Sequence, residues 1–139
     1  MGAKLQSGEY HPSENEPFMN PHQVEFFKAK LLSWREEILR DSRETLENLQ
    51  QENVAHADMA DRASSESDRT LELRTRDRQR KLISKIDAAL RRIEDGTYGY
   101  CEETGEPIGV ARLAARPVAT LSLEAQEKHE RREKVYRDD

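Results

Sequence analysis

The chain has 139 residues, of which 37% are charged and 35% apolar, too little apolar material to fill a thick globular core. That balance fits a thin helical assembly with a narrow apolar seam, or a chain with no fixed structure. A net charge of −5, with 28 acidic against 23 basic residues, argues against a general grip on duplex DNA, which depends on neutralising phosphates. Cys101 is the single cysteine, which excludes an intrachain disulfide. No stretch has the length of a signal-peptide core or approaches the roughly 20 apolar residues of a membrane span, so a cytoplasmic protein without a membrane role is expected.

Residues 1–18 mix Gly, Ser, Pro and Glu without period and read as a flexible tail able to dock. A helix follows. Asn20 suits the N-cap, Pro21 the first helical position, and Gln23 the third position of a capping box, with Met19 and Val24 able to staple around it. Phe27, Leu31, Trp34, Ile38, Asp41 and Thr45 then recur at alternating spacings of four and three, a heptad seam that turns polar as it proceeds.

Between Gln51 and Glu66 the apolar pattern lapses, which predicts a turn, with Ser64 or Ser65 capping a second helix. That helix carries Leu71, Leu82, Ile86, Leu90 and Ile93 and stops at Gly96. Each helix, about 30 residues and about 45 Å long, depends on pairing with the other for stability. A short turn makes the pair an antiparallel hairpin over 19–96 with its tip at about 52–65. Its apolar residues are richest at the base, where Phe26, Phe27 and Trp34 face Leu90 and Ile93. The base therefore anchors and the tip protrudes.

Residues 97–121, with Tyr98, Tyr100, Pro107, Ile108, Leu113 and Pro117, predict a compact knob, and 122–139 a charged helix capped by Thr120 or Ser122. Cys101 and Thr104, then seventeen residues, then Ser122 and Ala125 reproduce the spacing of a four-cysteine zinc finger with three ligands replaced. Thr, Ser and Ala supply no thiolate, and none of the four histidines lies in the finger, so no metal is expected. A structural zinc contributes about 10–16 kcal/mol to folding. Burial of Tyr98, Tyr100, Ile108, Val110, Leu113, Val118 and Leu121 recovers about 1.5–3 kcal/mol each when complete, which requires the knob to pack on the hairpin base and the last helix. Cys101 itself reads as a small packed side chain rather than a reactive thiol.

Tyr98-Gly99-Tyr100-Cys101-Glu102 and the run from Ile108 to Pro117, with Leu71-Glu72-Leu73-Arg74 and Lys81-Leu82-Ile83 upstream, closely resemble the DksA family over roughly residues 18–137. The resemblance implies a factor that enters the secondary channel of RNA polymerase, without catalysis, and destabilises open promoter complexes together with guanosine tetraphosphate (ppGpp). The replaced cysteines look like the family's cysteine-poor, zinc-independent branch. Asp58-Met59-Ala60-Asp61-Arg62-Ala63 matches the family's Asp-x-x-Asp-x-Ala tip motif, which assigns polymerase activity to Asp58, Asp61 and Ala63. From the residues alone, two turn aspartates are more simply helix caps, and as a Mg²⁺ site they are weak.

Arg74, Arg78, Lys81 and Lys85, spaced four, three and four, line one side of the second helix. Close like charges repel, and either acids on the first helix or an acidic or phosphorylated partner offsets them. The resemblance assigns Arg74, Arg78 and Lys81 to the polymerase and Lys85 and Arg116 to ppGpp. A further ppGpp-binding lysine of the family corresponds to Gln126, which weakens the third position. The expected architecture is all-α: a coiled-coil hairpin, a metal-free knob and a C-terminal helix, acting as a monomer. The rivals are a coiled-coil scaffold or oligomer with no polymerase role, and a nucleic-acid binder using the basic stripe.

Overall fold

The structure, a computed structural model, describes residues 10–55 and 59–138, with side chains outside Leu49, 52–65 and 136–139. Its helices are α1 (Pro21–Ala55), α2 (Met59–Asp95), α3 (Val110–Ala115) and α4 (Leu123–Asp138). Among the described residues the only β pairing is an isolated antiparallel bridge between Tyr100 and Pro107. The chain divides into two compact units, one formed by the chain up to Leu31 together with Ala88–Asp139, the other by Leu32–Asp87. No described helix is long and apolar enough to cross a membrane.

The first unit opens with a strap rather than a free tail. From Tyr10 onward the segment expected to be flexible is folded onto the start of α1. Tyr10 meets Phe26 edge-on at 6.0 Å, and its hydroxyl donates to Glu16 Oε1 at 2.6 Å. Glu16 is held below the usual carboxylate range chiefly by that hydrogen bond, aided by the Ser13 N–H, Asn20 and the nearby His22. Asn20 caps α1 as expected, its Oδ1 accepting from the N–H groups of His22 (2.9 Å) and Gln23 (3.1 Å).

The capping box is modified. Gln23 Oε1 accepts from Met19 N–H at 2.8 Å, one residue earlier than a standard box, and Nε2 donates to Ser13 O at 3.2 Å. Gln23 is thereby fully buried with both ends of its amide satisfied. Met19 stands at φ 55°, and this left-handed residue turns the strap back along the helix. Gly99 admits the strap, because at φ +92° a Cβ there would lie 3.1 Å from Phe18 Cζ and 3.2 Å from Met19 Cγ.

Phe27, Leu31, Ala89, Tyr98, Cys101, Ile108, Val110, Leu113 and Ala125 form the buried interior of this unit. Seven knob side chains were expected to share this burial. Tyr98, Ile108, Val110 and Leu113 are buried, Val118 and Leu121 half-buried, and Tyr100 is 37% exposed with its ring edge-on to Phe18. The knob also contains the six-residue helix α3, which lacks enough residues to display a helical period in sequence.

In the second unit α1 and α2 run antiparallel. Arg35 pairs with Asp87 at 2.7 Å and Ser42 Oγ hydrogen-bonds Gln79 Oε1 at 2.7 Å, so positions advance along one helix as they recede along the other. Among the described residues Ile38 and Ile86 are the buried apolar residues of this unit; toward the tip the seam keeps half-buried Leu82 and then turns polar. Leu71, expected in the seam, is 59% exposed. Gln79, Thr75 and Glu72, one or two turns apart, are half-buried on that side of α2 instead.

The helices also run further toward the tip than the lapse in apolar pattern indicated. α1 continues to Ala55 and α2 begins at Met59, which puts Ser64 and Ser65 inside a helix rather than at its cap. Losing apolar residues removes a seam but not helix propensity, and Ala, Met, Gln, Glu and Arg keep the backbone helical where neither Gly nor Pro intervenes.

Candidate functional site

The sequence singles out three groups of residues: the degenerate finger, the basic face of α2, and the tip. The finger brings its four former ligand positions into one cluster. Burial pushes the Cys101 thiol up, but hydrogen bonds from the Thr104 side chain and from the backbone of Ser122, Thr104 and Glu103 outweigh it and bring its pKa down to about 6. Ser122 Oγ accepts from Ala125 N–H at 3.2 Å, capping α4, and Ala125 is buried.

These residues do not fit a structural zinc. Only one of the four positions supplies a thiolate, and among the described residues no group of three or more His, Cys, Asp or Glu is placed to hold a metal ion. The cross-links a metal would make are made by hydrogen bonds. Glu102 N–H donates to Thr120 O at 2.9 Å, Arg112 Nε to Leu121 O at 2.9 Å, and His129 Nε2 bonds Glu103 Oε1. Cys101 is packed, as its sequence context indicated, while the donors around its sulfur, from both halves of the finger, favour the thiolate, which the sequence did not indicate. The Thr and Ser at positions 104 and 122 were the available signal: both replace a thiolate with a hydroxyl that can hydrogen-bond.

On α2, Arg74, Arg78, Lys81 and Lys85 are all exposed, and among the described residues none of them makes an ion pair. Among the described residues, no acid on α1 pairs directly with this stripe. By contrast Arg80 reaches Asp77 at 3.7 Å and Arg35 reaches Asp87. Leu71 lies one turn before Arg74 and two before Arg78, so it adds an exposed apolar side chain to the stripe. Sequence reasoning placed Leu71 inside; its spacing of eleven residues from Leu82 is three helical turns and suits a seam, so its exposure was not legible in the pattern.

Asp58 lies outside the described residues. Asp61 and Ala63 fall in the first turns of α2 by backbone, with their side chains outside those described. Arg116 is exposed directly after α3, and Gln126 is half-buried on α4 with Nε2 donating to Glu130 Oε1 at 3.2 Å. Lys85 belongs to the second unit, Arg116 and Gln126 to the first.

Paired antiparallel helices followed by a finger stripped of its metal ligands define a class of protein: a coiled-coil hairpin joined to a degenerate finger. Known families reproduce that order along the chain. Residues 23–93 match the model described as DnaK suppressor protein DksA, N-terminal domain, and residues 96–131 the prokaryotic dksA/traR C4-type zinc finger. The chain is 73% identical over 135 residues to the RNA polymerase-binding transcription factor DksA of Caulobacter vibrioides (strain NA1000 / CB15N), covering 97% of this chain and 95% of that protein. It is 41% identical to the same factor of Escherichia coli (strain K12), covering 90% and 83%. Transcription factor DksA2 from Pseudomonas aeruginosa superposes with a TM-score of 0.79 at 44% identity, covering 84% of this chain and 90% of that one. The chain belongs to the DksA family, as a cysteine-poor member.

Proposed function

We infer that this protein is an RNA polymerase-binding transcription regulator that inserts its hairpin tip into the secondary channel and alters the stability of open promoter complexes. The observation that carries the reading is the stripe of Arg74, Arg78 and Lys81, exposed beside exposed Leu71 and without an ion pair among the described residues. A solvent-facing stripe of like charge with an apolar neighbour fits an acidic, partly apolar protein surface better than free DNA, given a chain whose net charge is −5. The factor is not an enzyme. It works by position, with Asp58, Asp61 and Ala63 delivered to the polymerase active centre. A population shift of tenfold needs only about 1.4 kcal/mol, so a modest differential interaction at the tip can move a promoter equilibrium.

ppGpp is the proposed co-regulator, held at the factor–polymerase interface by Lys85 and Arg116. Gln126 stands in place of a third cation and contributes no charge. No zinc takes part.

In vitro transcription from a ribosomal-type promoter, with and without ppGpp and with a chelator present, tests the whole reading. The wild-type protein is expected to inhibit in chelator and to inhibit more strongly with ppGpp. Asp61→Asn is expected to keep its helical circular dichroism and lose the promoter effect, whereas normal inhibition by that variant rejects the tip assignment. Arg78→Glu is expected to weaken polymerase binding in a competition assay.

One observation favours a second reading, oligomerisation through the hairpin. Leu32, Leu39 and Leu46, seven residues apart on one flank of α1, are 45%, 37% and 38% exposed. Sedimentation separates the two, with a monomer supporting the polymerase reading and a tight dimer the rival.

A further inference from the structure

Arg116 is an exposed cation on an unusually constrained piece of backbone. It follows α3 with φ −137° and ψ 85°, its N–H donates to Arg112 O at 2.8 Å, and its carbonyl accepts from Ala119 N–H at 3.0 Å. Side chains from other elements pin the peptide groups on either side. Lys30 Nζ, reaching from α1, donates to Ala114 O at 2.8 Å, satisfying a carbonyl that the end of α3 leaves free. The Tyr98 hydroxyl donates to Pro117 O at 2.8 Å in a buried position. Arg112 Nε, bonded to Leu121 O, ties the far side of the loop to α3. Yet among the described residues the Arg116 guanidinium itself makes no ion pair.

The Tyr98 and Arg112 bonds also hold the metal-free finger together, whereas the Lys30 bond lies at the exposed surface, where water solvates an ammonium equally well. Clamping does matter when a side chain must present a fork of donors in one direction, because ordering it on binding then costs less. Lys30 is itself an exposed lysine, and holding its amine at a backbone carbonyl sacrifices rotamer freedom that a solvated lysine keeps. Its ammonium also sits 5.8 Å from the centroid of the Phe26 ring, a second contact that fixes the side chain.

We propose that Lys30 is a positioning residue for Arg116, clamping the end of α3 so that the arginine is preorganised for the phosphates of a guanosine nucleotide. This rests on the reading above that Arg116 binds ppGpp. The dependence is sharpened by Gln126, whose amide is engaged with Glu130 and brings no positive charge. With one cation fewer to share the phosphates, the aim of the remaining arginine counts for more.

The experiment titrates ppGpp into the complex of full-length protein with RNA polymerase and reads the concentration giving half-maximal inhibition. Polymerase affinity and inhibition without ppGpp are measured alongside. Lys30→Met removes the hydrogen bond but keeps the aliphatic stem on Phe26, and is expected to raise the half-maximal concentration about three- to tenfold while leaving the ppGpp-free readings in place. Lys30→Arg, which can still reach Ala114 O, is expected to recover most of the loss. Tyr98→Phe, releasing the other side of the loop, shifts the value in the same direction. Arg116→Ala is expected to raise it more than any of these, and the Lys30→Met/Arg116→Ala double variant to be no worse than Arg116→Ala alone.

Additive losses in the double variant would overturn the proposal, as would equal losses with and without ppGpp, which mark a merely structural role. If Arg116→Ala shifts the titration and Lys30→Met does not, the positioning inference alone falls. If Arg116→Ala itself leaves the titration unchanged, the nucleotide reading fails and takes the inference with it.

Discussion

The two units of this molecule solve the problem of holding helices together in opposite ways. The first buries Phe27, Leu31, Tyr98, Ile108, Val110 and Leu113 and crosses the gaps between them with hydrogen bonds that link residues far apart in sequence. The second buries Ile38 and Ile86 and then relies on Arg35–Asp87 and Ser42–Gln79, with leucines left in solvent. One is a core and the other a seam. A core is built to stay put, and it holds the strap, the finger and Arg116 in fixed relation. A seam of mixed polarity keeps two helices in register without demanding much apolar area, which suits a segment that presents charge.

The largest difference between the units is expected on deleting a large apolar side chain. Leu113→Ala, at a fully buried position, is expected to cost about 2–5 kcal/mol, since the cavity adds to the lost transfer energy. Leu39→Ala, at a position 37% exposed on the seam, is expected to cost less than about 1 kcal/mol. Urea denaturation followed by circular dichroism measures both. Similar losses at the two sites would mean that the flank of the seam is packed in solution, which favours the oligomeric rival.

A second difference lies in pH dependence. The Cys101 thiol is depressed to about 6 in the folded protein, against an ordinary thiol near 8.5 when unfolded. A depressed acid stabilises the fold fully above the unfolded value and loses that contribution as pH falls through the folded one. The first unit is therefore expected to weaken as pH drops from about 8.5 through about 6, and Cys101→Ala is expected to be less stable at neutral pH and to flatten that part of the profile. Denaturation midpoints at several pH values check this. An unchanged profile in the variant would assign the pH dependence to other groups, and would leave Cys101 as packing alone.

The elements that repeat were legible in the sequence. The heptad run from Phe27 to Ile38, the Asn20 cap and the Gly96 stop at φ +78° are local signals, and each fixes a helix or its end without reference to the rest of the chain. The finger's ligand spacing was equally plain, as was the loss of its thiolates. What the sequence concealed are features that depend on distant partners. The strap is one, because nothing local distinguishes Tyr10 and Phe18 from any tail aromatic until Phe26, Tyr100 and the Cβ-free Gly99 come to meet them. The turn is another, because an apolar lapse and a helix end look alike when the intervening residues are good helix formers. Lys30 is the third: it is one charged residue among many until α3 places a free carbonyl beside it.

The smallest expected effect is also the sharpest test of the contrast between core and seam. Glu72 Oε2 is buried on α2 with no hydrogen-bond partner among the described residues, in a half-buried residue between exposed Leu71 and exposed Leu73. An unpartnered polar atom costs about 1–3 kcal/mol when fully desolvated, and part of that penalty applies here. Replacing it with Met keeps the length and helix propensity while removing the oxygen. In a true core a swap of buried residues seldom helps, because every neighbour is already fitted to the native shape. In this seam Glu72→Met is expected to raise stability by about 0.5–1 kcal/mol, seen as a higher urea midpoint at unchanged slope. A fall instead would show that the carboxylate is satisfied in solution and that the seam is more specific than its polarity indicates. A rise accompanied by weaker polymerase binding would show that the seam sacrifices stability to keep a charge available for its partner.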